Sequence, residues 1–364
     1  MKFQSIKPAC FTLSWLLISG IYSTTAFSKE DVSTQNVNKM TADWPARPKL
    51  AVQEMMAKYG EPLEVSSETV VWHNQGPYKR IMVTKTEIPH DFPKPHMDFL
   101  EHTIHYNVPT EKVSDLVAFD ASMTVNRTAG EMSARCDLEG HNILTLNLAK
   151  DIITGKKSVA QARKDFGTNV VDDVLGKHPV YVEKLTFEPH TMAKAAFADK
   201  PIIPGSPIRS EKGDVKAMGD AEVLAFVIAT DDNEVLAAAE AQKKDISKEV
   251  KDYAKMLHME HGKNQKTVMG LGQKIKSTPT DTKAVDELRV KGAQDLSKLV
   301  PLDGKEFEKA YMDAMVKGHN EVISMIDGQL IPATKNGELK KQLMETREHV
   351  SMHLEEAKKI QANL

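Results

Sequence analysis

The chain has 364 residues, of which 41% are hydrophobic and 27% are charged, and its formal net charge is −3. This mild acidity excludes the basic surface with which proteins hold a phosphate backbone, so nucleic acid is not an expected partner. The sequence contains two cysteines, Cys10 and Cys136. Because Cys10 lies in a segment that we expect to be removed, an intramolecular disulfide is also excluded.

The first 28 residues have the pattern of a secretory signal. Lys2 and Lys7 precede a short apolar stretch over residues 11–22, and small residues end at Ser28, near the expected cleavage site. The apolar stretch is too short to span a bilayer, and no later stretch approaches roughly 20 apolar residues. Cleavage removes two lysines and no acidic residue, which changes the net charge from −3 to −5. The sequence therefore predicts an exported protein, periplasmic or secreted, without a transmembrane segment in its mature chain.

Composition divides the rest of the chain into two parts. Removing residues 1–28 from 364 leaves 336 residues, a length that favours two domains over one. Residues 198–217 contain several prolines and glycines without apolar periodicity, which is typical of a linker. We therefore predict a flexible N-terminal segment over residues 29–43, an α+β domain over 44–197 and a helical domain over 218–364.

The first domain mixes strand and helix patterns. Two β-branched runs, residues 68–73 and 79–86, flank the turn-forming residues 74–77, which is a hairpin signal. Further strands are predicted over residues 102–108 and 123–127, and helices over 50–59, 142–154 and 158–166. These elements predict an α+β fold with an antiparallel sheet.

The second domain has helical periodicity throughout. Apolar residues recur at helical spacing on one face of four long segments and of one connecting segment. The long faces cover residues 223–241, 250–268, 312–326 and 339–360, and the connecting segment covers 281–299. Four amphipathic helices of this length predict an antiparallel bundle.

Residues 249–261 and 304–319, together with a His-Leu pair at His353, carry a family resemblance. The first stretch ends in an acidic residue and His261, and the second combines a Phe-x-x-x-Tyr pattern with His319. At these positions the chain resembles DUF 4142, a ferritin-like family of exported bacterial proteins of unassigned function. The resemblance implies a ferritin-like four-helix bundle and a location in the cell envelope. The N-terminal half is similar to a segment found upstream of the bundle in some relatives.

Four polar residues occupy inward positions of these helices where apolar residues are expected: Glu234, His261, His319 and His353. Facing helices of a bundle bring such side chains together, and neutral imidazole is a common ligand of transition metals. We predict a candidate metal site for iron, copper, zinc or manganese. In the structural alternative, a carboxylate or carbonyl satisfies each histidine, which then only fixes the helix register. The Glu-x-x-His motif of ferritin di-iron centres is absent from these helices, so that chemistry is not expected.

Helix geometry predicts that only part of this set lies at one level of the bundle. Glu234 and His261 lie roughly 17 and 22 Å from the turn between the first two long helices, at 1.5 Å per residue. If the third long helix ends near Asp327, His319 and His353 lie roughly 12 and 26 Å from their own turn. We therefore expect Glu234 to be the partner of His261.

A second group of nitrogen and oxygen ligands lies in the first domain. His90, His96, His102 and His105 fall within 16 residues, together with several carboxylates, and form a second candidate metal cluster. Prolines interrupt this segment and predict a surface loop, so a solvated loop without metal is the alternative. If residues 102–108 form a strand, His102 and His105 point to opposite faces.

The sequence contains no recognisable catalytic constellation and no phosphate-binding loop, so whether the protein is an enzyme stays open at this point. The first hypothesis is an exported envelope protein whose bundle is a binding or structural module, with a stress-related role and an envelope protein as partner. The second is a metal-binding protein or metalloenzyme that uses the inward histidines. Metal analysis of the purified protein discriminates between them.

Overall fold

The computed structural model describes residues 34–197, 199–210 and 218–364. The chain forms two compact units, Met1–Ala198 and Asp199–Leu364. The signal predicted over residues 1–28 lies outside the described residues. Within the described ranges, no helix is both long enough and apolar enough to cross a membrane.

The first unit is built on a six-stranded antiparallel sheet with the strand order β1-β2-β3-β4-β6-β5. Its strands are β1 Glu64–Val65, β2 Thr69–Gln75, β3 Tyr78–His90, β4 His96–His105, β5 Thr124–Asn126 and β6 Glu131–Cys136. Trp72, Ile81, Leu100 and Met132 project from four of these strands into the core and are fully buried. The predicted α+β fold with an antiparallel sheet is confirmed.

The hairpin between β2 and β3 is confirmed. Gln75 pairs with Tyr78, so Gly76 and Pro77 alone form the turn. Gly76 has a φ of 56°, a left-handed conformation that glycine adopts without steric cost. This tight turn fixes the register of the two longest runs of β-branched residues in the sheet.

The surface loop predicted around the prolines is wrong for most of that segment. β3 continues to His90 and β4 begins at His96, so only residues 91–95 connect them. Pro89 lies inside the sheet and pairs with Met97. The proline is tolerated because the pairing of β2 with β3 stops at Thr84, which leaves β3 with a single neighbouring strand at this level of the described sheet.

The helices described in the first unit are α1 Thr34–Met40, α2 Ala46–Tyr59, α3 Thr110–Phe119, α4 Glu139–Ile153, α5 Val159–Val174, α6 Val180–Glu183 and α7 Met192–Ala195. Of these, α2 and α4 pack against strands of the sheet, and α3, α5 and α6 pack against α4. Asn142 of α4 donates to the Leu100 carbonyl of β4 at 2.8 Å, which ties the most buried helix to the sheet. The sequence indicates a flexible segment over residues 29–43, whereas α1 is helical and its Val37 side chain is fully buried.

The second unit is helical, and the all-α prediction is confirmed. Its long helices are α8 Asp220–Ala241, α9 Lys248–Lys274, α11 Gly304–Met325 and α13 Gly337–Ala362, and α10 Lys283–Leu299 packs against α8 and α11. Part of the predicted linker is also placed in this unit. β7 Ile208–Arg209 forms a short parallel pair with β8 Thr280–Asp281.

The apolar core of the second unit is divided into two clusters along the helix axes. On α9, Leu257 belongs to one cluster and Val268 to the other, and His261 lies between them. On α11, His319 lies in the same way between Met315 and Val322. A buried polar layer therefore separates two apolar regions of the bundle.

The third long helix extends further than predicted. After α11 the chain continues through a π-helical turn, Ile326–Leu330, and a short α12, Ile331–Ala333, so the helical structure does not end near Asp327. Pro332 lacks the N–H that a regular α-helix would bond to the carbonyl one turn earlier, and the wider π turn relieves this mismatch. The extension moves the following turn to residues 334–336.

Candidate metal centre

The polar layer of the second unit contains five buried side chains from four helices. They are Asp231 and Glu234 on α8, His261 on α9, His319 on α11 and His353 on α13. Each lies on the apolar stripe of its helix and is therefore turned inward. The three imidazole rings contact one another, with centroids 5.2, 5.6 and 6.0 Å apart. The structure thus brings the three predicted histidines together.

One nitrogen of each imidazole lacks a partner. Ligand atoms of the three histidines lie within 4.8 Å of one another. Among the described residues, His261 Nε2, His319 Nε2 and His353 Nδ1 are buried and have no hydrogen-bond partner. Leaving a buried polar atom unpaired costs roughly 1–3 kcal/mol. Three unpaired nitrogens in one place need a physical explanation, which a shared cation would supply.

The other nitrogen of each ring is held by an acceptor. The pairs are His261 Nδ1 with Asp231 Oδ1 at 2.8 Å, His319 Nδ1 with the Met315 carbonyl at 2.8 Å, and His353 Nε2 with Glu260 Oε2 at 2.7 Å. Because carboxylates and carbonyls only accept, each pair places a proton on the bonded nitrogen, and in the neutral ring the other nitrogen carries a lone pair. Such outer hydrogen bonds orient metal-bound imidazoles in proteins.

Burial keeps two of the rings neutral. It lowers the pKa of His319, and it lowers the pKa of His353 to about 4. Burial also opposes protonation of His261, but the hydrogen bond to Asp231 and the negative charge of Glu234 outweigh it and raise the pKa of His261. Burial raises the pKa of Asp231 to about 6, against the hydrogen bond with His261. Neutral imidazole is the form that binds metals, so two of the three ligands need no deprotonation.

Glu234 is not the partner that helix geometry led us to expect for His261. The hydrogen-bonded carboxylate is Asp231, and the ligand atoms grouped within 4.8 Å in the described structure come from histidines alone. Distance along the helices explains the difference, because Asp231 and His261 both lie roughly 22 Å from the α8–α9 turn, and Glu234 only roughly 17 Å. The sequence signal that identifies Asp231 is its distance from the turn, which equals that of His261. This match in level matters more than the central position of Glu234 on the apolar stripe.

His319 and His353 share a level because the helix before their turn is longer than predicted. Measured from residues 334–336, they lie roughly 24 and 27 Å along their helices. The sequence predicted different levels for His319 and His353 only because the third long helix was assumed to end near Asp327. His349, one turn before His353 on α13, is exposed and does not reach this layer.

The second predicted cluster is only partly assembled. His90 and His96 lie side by side, with ring centroids 5.0 Å apart. His102 is fully buried further along β4, with Nε2 3.4 Å from Glu139. His105 lies three residues later and therefore on the opposite face of the strand. The structure thus separates His102 and His105 from the other two histidines.

A cavity of about 420 Å³ lies between α8, α10 and α11. Its lining is mainly apolar, with Leu288, Leu296 and Met315 among its residues, and it includes Glu234 and Gly318. Through Glu234 the cavity borders the polar layer, and none of the three histidines lines it.

Comparison with known proteins identifies a family for the second unit. Residues 209–360 match the family model described as a domain of unknown function, DUF4142. The resemblance of the C-terminal half is thereby confirmed, and the match spans α8 to α13. No curated protein and no solved structure matches the chain.

Proposed function

We propose that the DUF4142 domain of this protein binds a transition-metal ion through His261, His319 and His353. The observation that carries the proposal is the hydrogen-bonding pattern of the three rings. In each ring an acceptor holds one nitrogen, and the other is buried and unpaired in the part of the chain that the structure describes. A cation accepts three converging lone pairs at once, whereas a hydrogen-bond donor satisfies only one or two.

The ligand set indicates the class of metal. Three imidazoles suit zinc, copper or iron, whereas calcium, magnesium and manganese prefer oxygen ligands. Three protein ligands also leave one position of a tetrahedral ion for water or another small ligand. Glu234 lies outside the histidine group, so the set lacks the bridging carboxylates of a ferritin di-iron centre. The site is therefore best suited to a single zinc or copper ion.

The structural alternative explains less of this geometry. Histidines that only fix the register of a bundle are expected to satisfy both ring nitrogens or to expose one to water. Here all three rings are buried, each has one nitrogen without a partner among the described residues, and a ligand atom of each lies within 4.8 Å of the others. Buried nitrogens without partners destabilise the bundle unless a metal binds them.

We also propose that the mature protein is periplasmic or secreted. The signal pattern of residues 1–28 and the family resemblance support this location. In the alternative function, the bundle is a metal-free module for stress-related contacts with an envelope protein. Both functions use the same fold, so the metal content separates them.

The test is elemental analysis of protein produced without an affinity tag, because a histidine tag would bind the same metals. After chelation and dialysis against limiting Zn²⁺, wild type is compared with His319→Leu and with His349→Leu. His349 is the matched control because it is an exposed histidine on the same bundle. We expect His319→Leu to lose one equivalent of zinc and His349→Leu to lose none. Equal zinc in all three proteins would refute a metal site in this layer.

A further inference from the structure

The sheet of the first unit places three potential metal ligands on one face. His90 of β3 and His96 of β4 are directly opposed across the strand pair, and Asp98 follows two residues after His96. Opposed residues in an antiparallel pair, and residues two apart on one strand, point to the same face. The three side chains therefore converge at the end of the β3–β4 hairpin, within the first unit alone.

The distances between these groups match those within a metal coordination sphere. His96 Nε2 lies 3.1 Å from Asp98 Oδ1, and His90 Nδ1 lies 3.2 Å from Asp98 Oδ2. In tetrahedral zinc sites, bonds of roughly 2.0–2.1 Å place neighbouring ligand atoms roughly 3.3 Å apart. The three residues need little rearrangement to hold one ion.

Two of these atoms make no hydrogen bond of good geometry, although each lies close to an oppositely charged or polar neighbour. Asp98 is only 3% exposed, yet its Oδ1 accepts no hydrogen bond from the described residues. His90 Nδ1 is buried and likewise has no partner in that part of the chain. A buried carboxylate that faces two imidazoles without hydrogen bonds of good geometry destabilises the folded protein. A cation bound by all three groups would stabilise the carboxylate.

The outer nitrogens of both rings are oriented. His96 Nδ1 contacts the Lys94 carbonyl at 2.8 Å, and His90 Nε2 faces Asp120 Oδ1 at 3.8 Å. Asp120 is itself held in place, because the Ser122 hydroxyl donates to its Oδ1 at 2.7 Å. The rings are therefore turned so that their remaining nitrogens face Asp98, as in sites where outer contacts orient ligating histidines.

We propose that His90, His96 and Asp98 form a second site for a divalent transition-metal ion, independent of the site in the DUF4142 domain. Two imidazoles and one carboxylate are a ligand set for zinc or iron, with further positions left for exchangeable ligands. The Cys136 thiol lies 3.3 Å from His96 Nε2, so a soft donor also borders the site. That neighbour favours zinc over calcium or magnesium.

The experiment isolates this site by removing the other one. Full-length untagged His319→Leu protein is stripped with a chelator, dialysed against limiting Zn²⁺ and analysed for metal. We expect one equivalent of zinc to remain bound. Adding His96→Gln or His90→Gln to this background should remove it, because each variant deletes one of three ligands. The His90 variant is included because the His90 side chain is 14% exposed and therefore tolerates replacement better than a fully buried group.

The matched control is His105→Gln in the same background. His105 lies on the same strand but on the opposite face, so its replacement should leave the zinc content at one equivalent. The proposal is overturned if the His319→Leu protein holds no zinc, or if the His90 and His96 variants keep theirs. The two proposals are distinguishable. If His319→Leu keeps as much zinc as wild type and only His96→Gln loses one equivalent, the site in the DUF4142 domain is refuted and the site in the first unit is supported.

Discussion

Asp231 Oδ1 accepts a hydrogen bond of 2.8 Å from His261 Nδ1 across the contact between α8 and α9. Both side chains are buried. Asn264, one turn after His261 on α9, donates to the other oxygen of Asp231 at 2.9 Å. The carboxylate therefore has a defined orientation. It holds Nδ1 of the imidazole, whose Nε2 has no hydrogen-bond partner among the described residues.

Asp231→Asn should weaken metal binding without abolishing it. The amide keeps the shape of the side chain but removes the negative charge that makes the imidazole a stronger ligand, and loss of such an outer contact costs about 10–100-fold in metal affinity. Competition with a zinc chelator measures the change. Asp232→Asn is the control, because Asp232 contacts Gln265 rather than a histidine. Equal losses in the two variants would show that Asp231 has no special role.

His261→Leu and His319→Leu should differ in their effect on the metal-free protein. His261→Leu leaves Asp231 buried without its imidazole, which typically destabilises a protein by about 3–5 kcal/mol. His319 pairs with the Met315 carbonyl of its own helix, so His319→Leu should cost less than about 1 kcal/mol. Urea unfolding followed by circular dichroism measures both.

The double variant Asp231→Leu with His261→Leu provides the control for that comparison. Replacing both members of a buried pair by apolar groups is often close to neutral, so most of the lost stability should return. If the double variant is no more stable than His261→Leu, the unpaired carboxylate is not the cause of the destabilisation.

Much of the fold could be predicted because local patterns agree with the tertiary structure. The β2–β3 hairpin follows from a turn-rich tetrapeptide between β-branched runs, and Ser158 caps α5 by accepting a hydrogen bond from the Gln161 amide. β6 was missed. Its residues, such as Ser133 and Arg135, lack strong strand propensity, and the strand forms because β4 and β5 pair with its two edges.

The candidate sites were predicted less completely, for reasons of geometry. The inward histidines are visible in the sequence because each interrupts an apolar stripe. Their common level depends on the π turn before Pro332, which lengthens the helix and cannot be read from periodicity. In the first unit, the side chain of His90 meets that of His96 only through the strand register, and the prolines between them indicated a loop.

Glu139→Gln should make the first unit less sensitive to acid. Burial opposes ionisation of Glu139, but the contact with the His102 ring and the hydrogen bonds from Lys58 and Tyr59 outweigh it and lower the pKa of its carboxyl to about 2. Because the folded-state pKa lies below the ordinary value of 4.5, the stabilisation is complete above that value and is lost as the pH falls toward 2. After allowance for solvent screening, we expect about 2 kcal/mol near neutral pH.

Tryptophan fluorescence during urea unfolding isolates that effect, because Trp44 and Trp72 lie in the first unit and the sequence of the second has no tryptophan. Wild type should exceed Glu139→Gln in unfolding free energy at about pH 6, and the difference should shrink at about pH 3. Glu183→Gln is the control, because its partner His178 is exposed. A difference that is independent of pH would contradict the assignment.

Limited proteolysis should separate the two units within residues 198–217, and each fragment should keep its own metal. The side chain of Ile202 is 94% exposed, whereas β7 is held by β8, so we expect the first cuts before Ile208. Gly205 narrows the expected region to the residues before it, because a Cβ there would lie 2.5 Å from the Met269 carbonyl oxygen, which shows close packing on α9. Mass spectrometry identifies the cuts, and metal analysis of the separated fragments should find about one zinc in each. First cuts inside α8 to α13, or zinc confined to one fragment, would contradict two independently folded metal-binding units.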